Sequence, residues 1–143
     1  MQEKMHDTNQ TIDAYYAALK AGDRGEITAL LSDDIQVDYY GPEGLFPWQG
    51  TWKGTAQFFA FLDSVAENLT IDAVTPMQRI IAEESAIIVL NGQWTIRKTG
   101  AKVTATVANI FTLKHGKIAR YQVFTDTAAF GLGVENLTLR PHD

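Results

Sequence analysis

Residues 102–127, "KVTATVANIFTLKHGKIARYQVFTDT", constrain the fold more than any other stretch. Val103, Ala105, Val107, Asn109, Phe111 and Leu113 alternate with Lys102, Thr104, Thr106, Ala108, Ile110 and Thr112. This period of two is the pattern of a half-buried strand, and His115-Gly116 then reads as a tight hairpin turn. Asn109 is the one polar side chain on the apolar side. A buried amide without partners costs roughly 1–3 kcal/mol. Asn109 is therefore either tied to a backbone irregularity or aimed into a cavity at a ligand. In the return strand Ile118, Tyr121 and Val123 do not share one parity, which is what an inserted residue, a β-bulge, produces.

The chain before this hairpin carries helical and strand periodicities in turn. Ile12, Tyr15, Tyr16 and Leu19 predict an amphipathic helix over 11–21, ended by Gly22. Ile27, Leu30 and Leu31 predict a second helix, with Asp23 as its cap and Glu26 three residues on. "DIQVDYY" alternates, with Ile35, Val37 and Tyr39 on one face and Gln36, Asp38 and Tyr40 on the other. The irregular segment 41–54 holds Leu45, Phe46, Trp48 and Trp52, so it either caps the core or forms a lid over a pocket floored by Asn109. Phe58, Phe59, Phe61, Leu62 and Val65 predict a third helix, capped by Thr55, and Pro76 marks the next strand as an edge or a bulge. A two-residue turn at Thr99-Gly100 would align Leu90 with Asn109 and Gln122, and Trp94 with Ala105 and Asp126. The expected fold is one α+β domain over 1–143, a strongly curved antiparallel sheet wrapped round N-terminal helices. Residues 1–10 and 134–143 are expected as flexible tails, the second able to add an edge strand or a partner contact.

Seventeen acidic against twelve basic residues give a net charge of −5. With no basic stripe to displace counterions from phosphates, a nucleic-acid partner is not expected. There is no cysteine, and His6, His115 and His142 are far apart in sequence, so neither disulfides nor a metal cluster is expected, and a cofactor-free protein is the simplest reading. No apolar run approaches the roughly 20 residues of a membrane span, and a cytoplasmic protein without membrane contact is expected.

"YYAALKAGDRGEITALLSDDIQVDYYGPEG" together with "VANIFTLKHGKIARYQVFTDT" resembles the NTF2-like, or SnoaL-like, cone superfamily of cystatin-like folds, which includes ketosteroid isomerase. The resemblance places Tyr15 at that enzyme's oxyanion-hole tyrosine and Asn109 at its protonated aspartic acid. The carboxylate base falls on Tyr39, with Asp38 one residue away and a candidate base only if that strand slips by one residue. An ordinary tyrosine would cost roughly 4 kcal/mol to ionise at neutral pH, which argues against steroid isomerisation. In SnoaL-like polyketide cyclases an aspartate near the end of the sheet looks like the general acid/base, and Asp126 in "FTDT" sits similarly. Asp126 is thus either that acid/base or the cap of the following "TAAF" turn. Tyr15 is either a core aromatic or a donor to ligand, with Tyr16 its substitute on a rotated helix. Trp48, Trp52, Trp94, Phe111 and Leu62 are pocket wall or core. Two function classes follow: a cofactor-independent enzyme enolising a small apolar carbonyl compound, as isomerase, cyclase or dehydratase, or a non-catalytic binder of a small apolar ligand or of a protein. The resemblance and the β-branched outer face of the sheet also imply a homodimer.

Overall fold

The computed structural model describes residues 2–138 and residue 140. The chain runs α1 (Gln2–Ala21), α2 (Arg24–Leu30), β1 (Leu31–Tyr39), β2 (Gly50–Lys53), α3 (Gly54–Asn68), β3 (Leu69–Ile81), β4 (Ser85–Ile96), β5 (Lys102–Lys114), β6 (Lys117–Thr125) and α4 (Thr127–Gly133). One six-stranded sheet of order β2-β1-β6-β5-β4-β3 curves round the helices. Its pairings are antiparallel except for β1 beside β6, which is parallel. The α+β architecture is the expected one.

Alternation carries the sheet's inner face. Ile88, Trp94 and Ile96 of β4, Val103, Ala105, Val107, Asn109, Phe111 and Leu113 of β5, and Ile35, Val37 and Tyr39 of β1 are all buried. Against them pack Thr8, Ile12, Tyr15 and Ala18 of α1 and Phe58 and Phe61 of α3. The His115-Gly116 turn has φ of 52° and 75° at its two central residues, the type I′ geometry that matches strand twist. The register slips between Thr112 and Leu113, leaving Ala119 as the extra residue. That bulge puts Ile118, Tyr121 and Val123 on the buried face together. Pro76 lies on the edge strand β3, beside a bulge at Met77.

Four expectations are corrected. Residues 2–10 are the start of α1, held by Arg79, whose Nε and Nη2 donate to the Asn9 side chain and carbonyl at 2.8 and 3.0 Å. The β4–β5 turn spans four residues, because the Ile96 N–H reaches the Ala101 carbonyl at 2.9 Å and Gly100 N–H folds back onto Ile96. Trp94 therefore pairs with Val103, not Ala105, and Asn109 with Ile88, not Leu90; on its other side the Ala119 bulge sets Asn109 beside Val123, not Gln122. Thr55 does not cap α3; Lys53 is the N-cap residue and its N–H donates to Gln57 Oε1 at 2.6 Å. Past α4, Val134 and Leu137 pack on the core and the Asn136 amide donates to the Leu45 carbonyl at 3.0 Å, so this part is neither loose nor a strand. Residues 139 and 141–143 of the expected tail lie outside the described residues.

Candidate functional site

Segment 41–54 belongs to the core. Trp48 is fully buried, its ring stacked on Phe46 with centroids 4.9 Å apart and edge-on to Tyr39 at 6.1 Å. Trp52, on β2, donates its indole N–H to the Trp48 carbonyl at 3.1 Å. The segment is therefore no lid. Two surface depressions lie elsewhere, one lined by Asp33, Asp34 and Lys114, the other by Glu43, Thr127 and Asn136, and neither touches Asn109. The expected open pocket between the tryptophan loop and Asn109 is filled by aromatic rings.

Those rings form a continuous line through the cone. From Tyr16 it passes to Phe111 (5.8 Å between centroids), Tyr121 (4.9 Å), Phe61 (6.5 Å), Tyr39 (6.1 Å) and Trp48. Phe46 continues it to Phe130 on α4 (6.3 Å), and Phe130 meets Trp94 edge-on at 5.1 Å. Tyr15 lies against both Phe111 and Tyr121. Leu62 is half-buried at the edge of this core.

Polar groups are set into the line. Asn109, Val123 and Tyr39 share one sheet row, so Asn109 and Tyr39 stand two strands apart, about 10 Å at about 4.8 Å per strand. The Asn109 amide donates to the Tyr16 hydroxyl at 2.9 Å, which leaves the tyrosine's own hydrogen free to be given elsewhere. Among the described residues, four buried polar atoms have no partner within the protein: Tyr15 Oη, Trp48 Nε1, Asn109 Oδ1 and Thr125 Oγ1. Buried polar groups are seldom left so, and each of these four has hydrogen-bonding capacity that the protein itself does not use.

The tyrosines stay protonated. Burial pushes Tyr16 up to about 12, opposed by the Asn109 hydrogen bond and the nearby Arg79 charge. It pushes Tyr39 to about 12 as well, against the pull of Trp48 and Thr125, whose polar atoms lie close without completing hydrogen bonds. Tyr15 and Tyr121 are driven higher, by burial first and then by neighbouring tyrosine hydroxyls. Four of the five tyrosines thus meet inside as neutral donors. Their neutrality in the folded state makes stability complete below about pH 10 and erodes it as the pH rises toward 12. In an absorbance titration they are expected to ionise together with alkaline unfolding rather than one by one; gradual ionisation of all five in folded protein would contradict this burial.

The two candidate carboxylates lie outside the interior. Asp126 is exposed and caps α4, its Oδ1 accepting the Ala129 N–H at 3.0 Å. Of the two roles open in the sequence, the cap is the one this geometry shows. Asp126→Asn should keep the cap and the melting temperature, whereas Asp126→Ala should cost about 1 kcal/mol, read by thermal melts. Asp38 is buried, but on the outer face of the sheet. Its burial alone would raise the carboxyl, yet hydrogen bonds from Thr51 (2.7 Å), Gln36 (2.9 Å) and Arg120 (3.0 Å), with the Arg120 charge, hold it below the usual range. Thr8, Asp38 and Asn109 are the buried polar or charged side chains among the described residues, so no carboxylate, histidine or lysine is buried inside the cone. Tyr121 joins this interior although sequence reasoning did not name it as a candidate; its signal was the broken parity of β6.

The sequence profile of the SnoaL-like domain family matches residues 12–121. The chain belongs to this family. A comparison with curated proteins found no match. Among solved structures, this SnoaL-like chain is similar to an NTF2-like protein from Burkholderia xenovorans at 21% identity, with a TM-score of 0.83 over 90% of this chain and 95% of that one. It is similar to TerC, co-crystallized with polyporic acid, at 23% identity and TM-score 0.79 over 90% and 98% of the two chains. A candidate isomerase from Rhodopseudomonas palustris follows at 19% identity and 0.74, over 87% and 93%. These likenesses establish the NTF2-like fold. No helix among the described residues is long and apolar enough to cross a membrane.

Proposed function

We propose that the cone binds a small, neutral, largely apolar carbonyl compound and holds its oxygen with neutral hydrogen-bond donors. The observation that carries this reading is the meeting of Tyr15, Tyr16, Tyr39 and Tyr121 with Asn109 in an aromatic interior that buries no ionisable carboxylate, histidine or lysine among the described residues. Each donor is protonated across the physiological range, so it can hold a carbonyl oxygen but cannot accept a proton from carbon. TerC, a protein of the same fold, was crystallized with a small organic molecule, which supports a cone of this kind taking one. The test is fluorescence titration with prodan, a neutral naphthyl ketone whose emission reports burial of its carbonyl. Saturable binding is expected, weakened several-fold by Asn109→Leu at about 1 kcal/mol per lost hydrogen bond. Absence of saturable binding would overturn the reading.

Enolisation is the second reading, favoured by the Asn109–Tyr16 bond, which leaves the Tyr16 hydroxyl hydrogen available to a developing enolate oxygen; since no interior side chain among the described residues is a base, the α-proton would pass to solvent water or hydroxide. Deuterium exchange at the prodan α-carbon, followed by proton NMR, separates the two. Binding alone leaves the exchange rate at that of buffer; enolisation raises it.

The same proposal extends to a homodimer through the outer sheet face. There Ile80, Ile87 and Ile110 form one cross-strand row, with Val89, Ala108 and Phe124 in the next. Phe124 is 43% exposed and stacks on exposed Tyr40. Light scattering after gel filtration is expected to give twice the chain mass, reduced to a single chain by Ile110→Arg; a monomeric wild type would refute it.

A further inference from the structure

Gly92 sits mid-strand in β4, where a glycine weakens a sheet and its presence asks for a reason. Its backbone lies outside the left-handed region, so the reason is space rather than conformation. A Cβ there would stand 2.3 Å from Cη2 and 2.7 Å from Cζ3 of Trp94, closer than any real contact. The six-membered ring of Trp94 therefore rests against the Gly92 backbone, beside Ala105, which pairs with Gly92 across β5. Together the two small residues make a trough that the indole fills.

On one side of this indole lie exposed apolar side chains. The β3 partners of Trp94 and Gly92 are Ile71 and Val74, which share the concave side of the sheet yet are 60% and 41% exposed. On the other side Phe130 leads through Phe46 to Trp48, whose Nε1 is unpartnered. One step along the strands from Gly92 and Ala105, the row Leu90, Val107, Thr125 carries the unpartnered Thr125 hydroxyl. The indole thus stands between two exposed apolar side chains of the edge strand and the polar interior. It is also untethered: the Trp52 indole N–H is hydrogen-bonded, whereas that of Trp94 has no partner among the described residues.

We propose that Trp94 is a movable side wall of the cone, parked in the Gly92–Ala105 trough, and that a small neutral ligand reaches the interior past Ile71 and Val74 by displacing it. This goes beyond the binding reading and rests on it for the ligand. Opening requires rotation of one side chain held by packing alone, and no backbone element has to move. Gly92 sets the closed position and Trp94 sets the exchange rate.

The experiment has two arms. Stopped-flow mixing with prodan compares wild type with Trp94→Ala and Trp94→Phe. The association rate is expected to rise about tenfold in Trp94→Ala and less in Trp94→Phe, which keeps a ring and guards against loss of the fold. In the second arm, protein labelled with 5-fluorotryptophan is followed by fluorine NMR, the Trp94 resonance being the one missing from Trp94→Phe. Gly92→Ala is expected to shift that resonance and to raise the prodan rate, because the added methyl evicts the ring from its trough. Prodan binding at unchanged rates in both Trp94 variants overturns the wall alone, as does an unmoved Trp94 resonance in Gly92→Ala. No prodan binding by any variant overturns the binding reading and the wall with it.

Discussion

Trp48→Ala is expected to destabilise the protein by about 3–5 kcal/mol, the cost of truncating a large aromatic in a closed core. Trp48 is fully buried, lies parallel to Phe46 and meets Tyr39 edge-on, so its removal leaves a cavity walled by two other rings that cannot collapse without leaving their own partners. Urea unfolding should show a lower midpoint with an unchanged slope. Trp48→Phe should cost less than the alanine variant. It keeps most of the ring area and removes an indole N–H that is buried without a partner, a group whose desolvation is worth about 1–3 kcal/mol against the fold. A loss below about 0.5 kcal/mol in Trp48→Ala, the usual range for a surface side chain, would mean that the 41–54 segment is a lid after all.

Asn109→Asp is expected to make stability strongly pH-dependent. Asn109 is 4% exposed, with the Tyr16 hydroxyl as its one partner. A carboxyl placed there is desolvated, and burial raises its pKa by about 3 units from an unfolded value near 4. A group whose folded pKa is raised has its full stability below the unfolded value and loses it as the pH climbs through the folded one. At about 1.4 kcal/mol per unit the variant should approach wild type near pH 4 and fall about 4 kcal/mol below it by pH 8. The comparison is with wild type at each pH, since Asp38, held low by Thr51, Gln36 and Arg120, makes both proteins weaken in acid. A difference between variant and wild type that does not change from pH 4 to pH 8 would show that water reaches Asn109 freely.

Much of the fold was legible because its signals are local. The β5 alternation, the Asp23 cap, whose Oδ1 accepts the Glu26 N–H at 3.0 Å, and the His115-Gly116 turn each depend on residues a few positions apart. What was not legible depends on distant contacts. The first turns of α1 are polar and become helix because Thr8 is buried against the Glu83 carbonyl and Arg79 reaches Asn9 and Asp13 from β3. The β4–β5 register turned on the length of one turn: a four-residue loop set Trp94 opposite Val103 and Asn109 opposite Ile88, while the Ala119 bulge in β6 set Asn109 opposite Val123. For the site, Asn109 and Tyr15 were found as misfits or aromatics in a pattern, and the structure buries both. Tyr16 proved to be the tyrosine bonded to Asn109 because its ring leans across Phe111 toward β5. Asp126 had two roles open in sequence, and the start of α4 shows the cap.

The most direct measurement of the neutral interior is a pair of calorimetric titrations, one with prodan and one with 2-naphthoate, a carboxylate of similar aromatic size. The ketone is expected to saturate at one per chain while the anion does not bind, since the interior holds no buried cation among the described residues to meet a charge. Equal or tighter binding of the naphthoate would contradict that expectation.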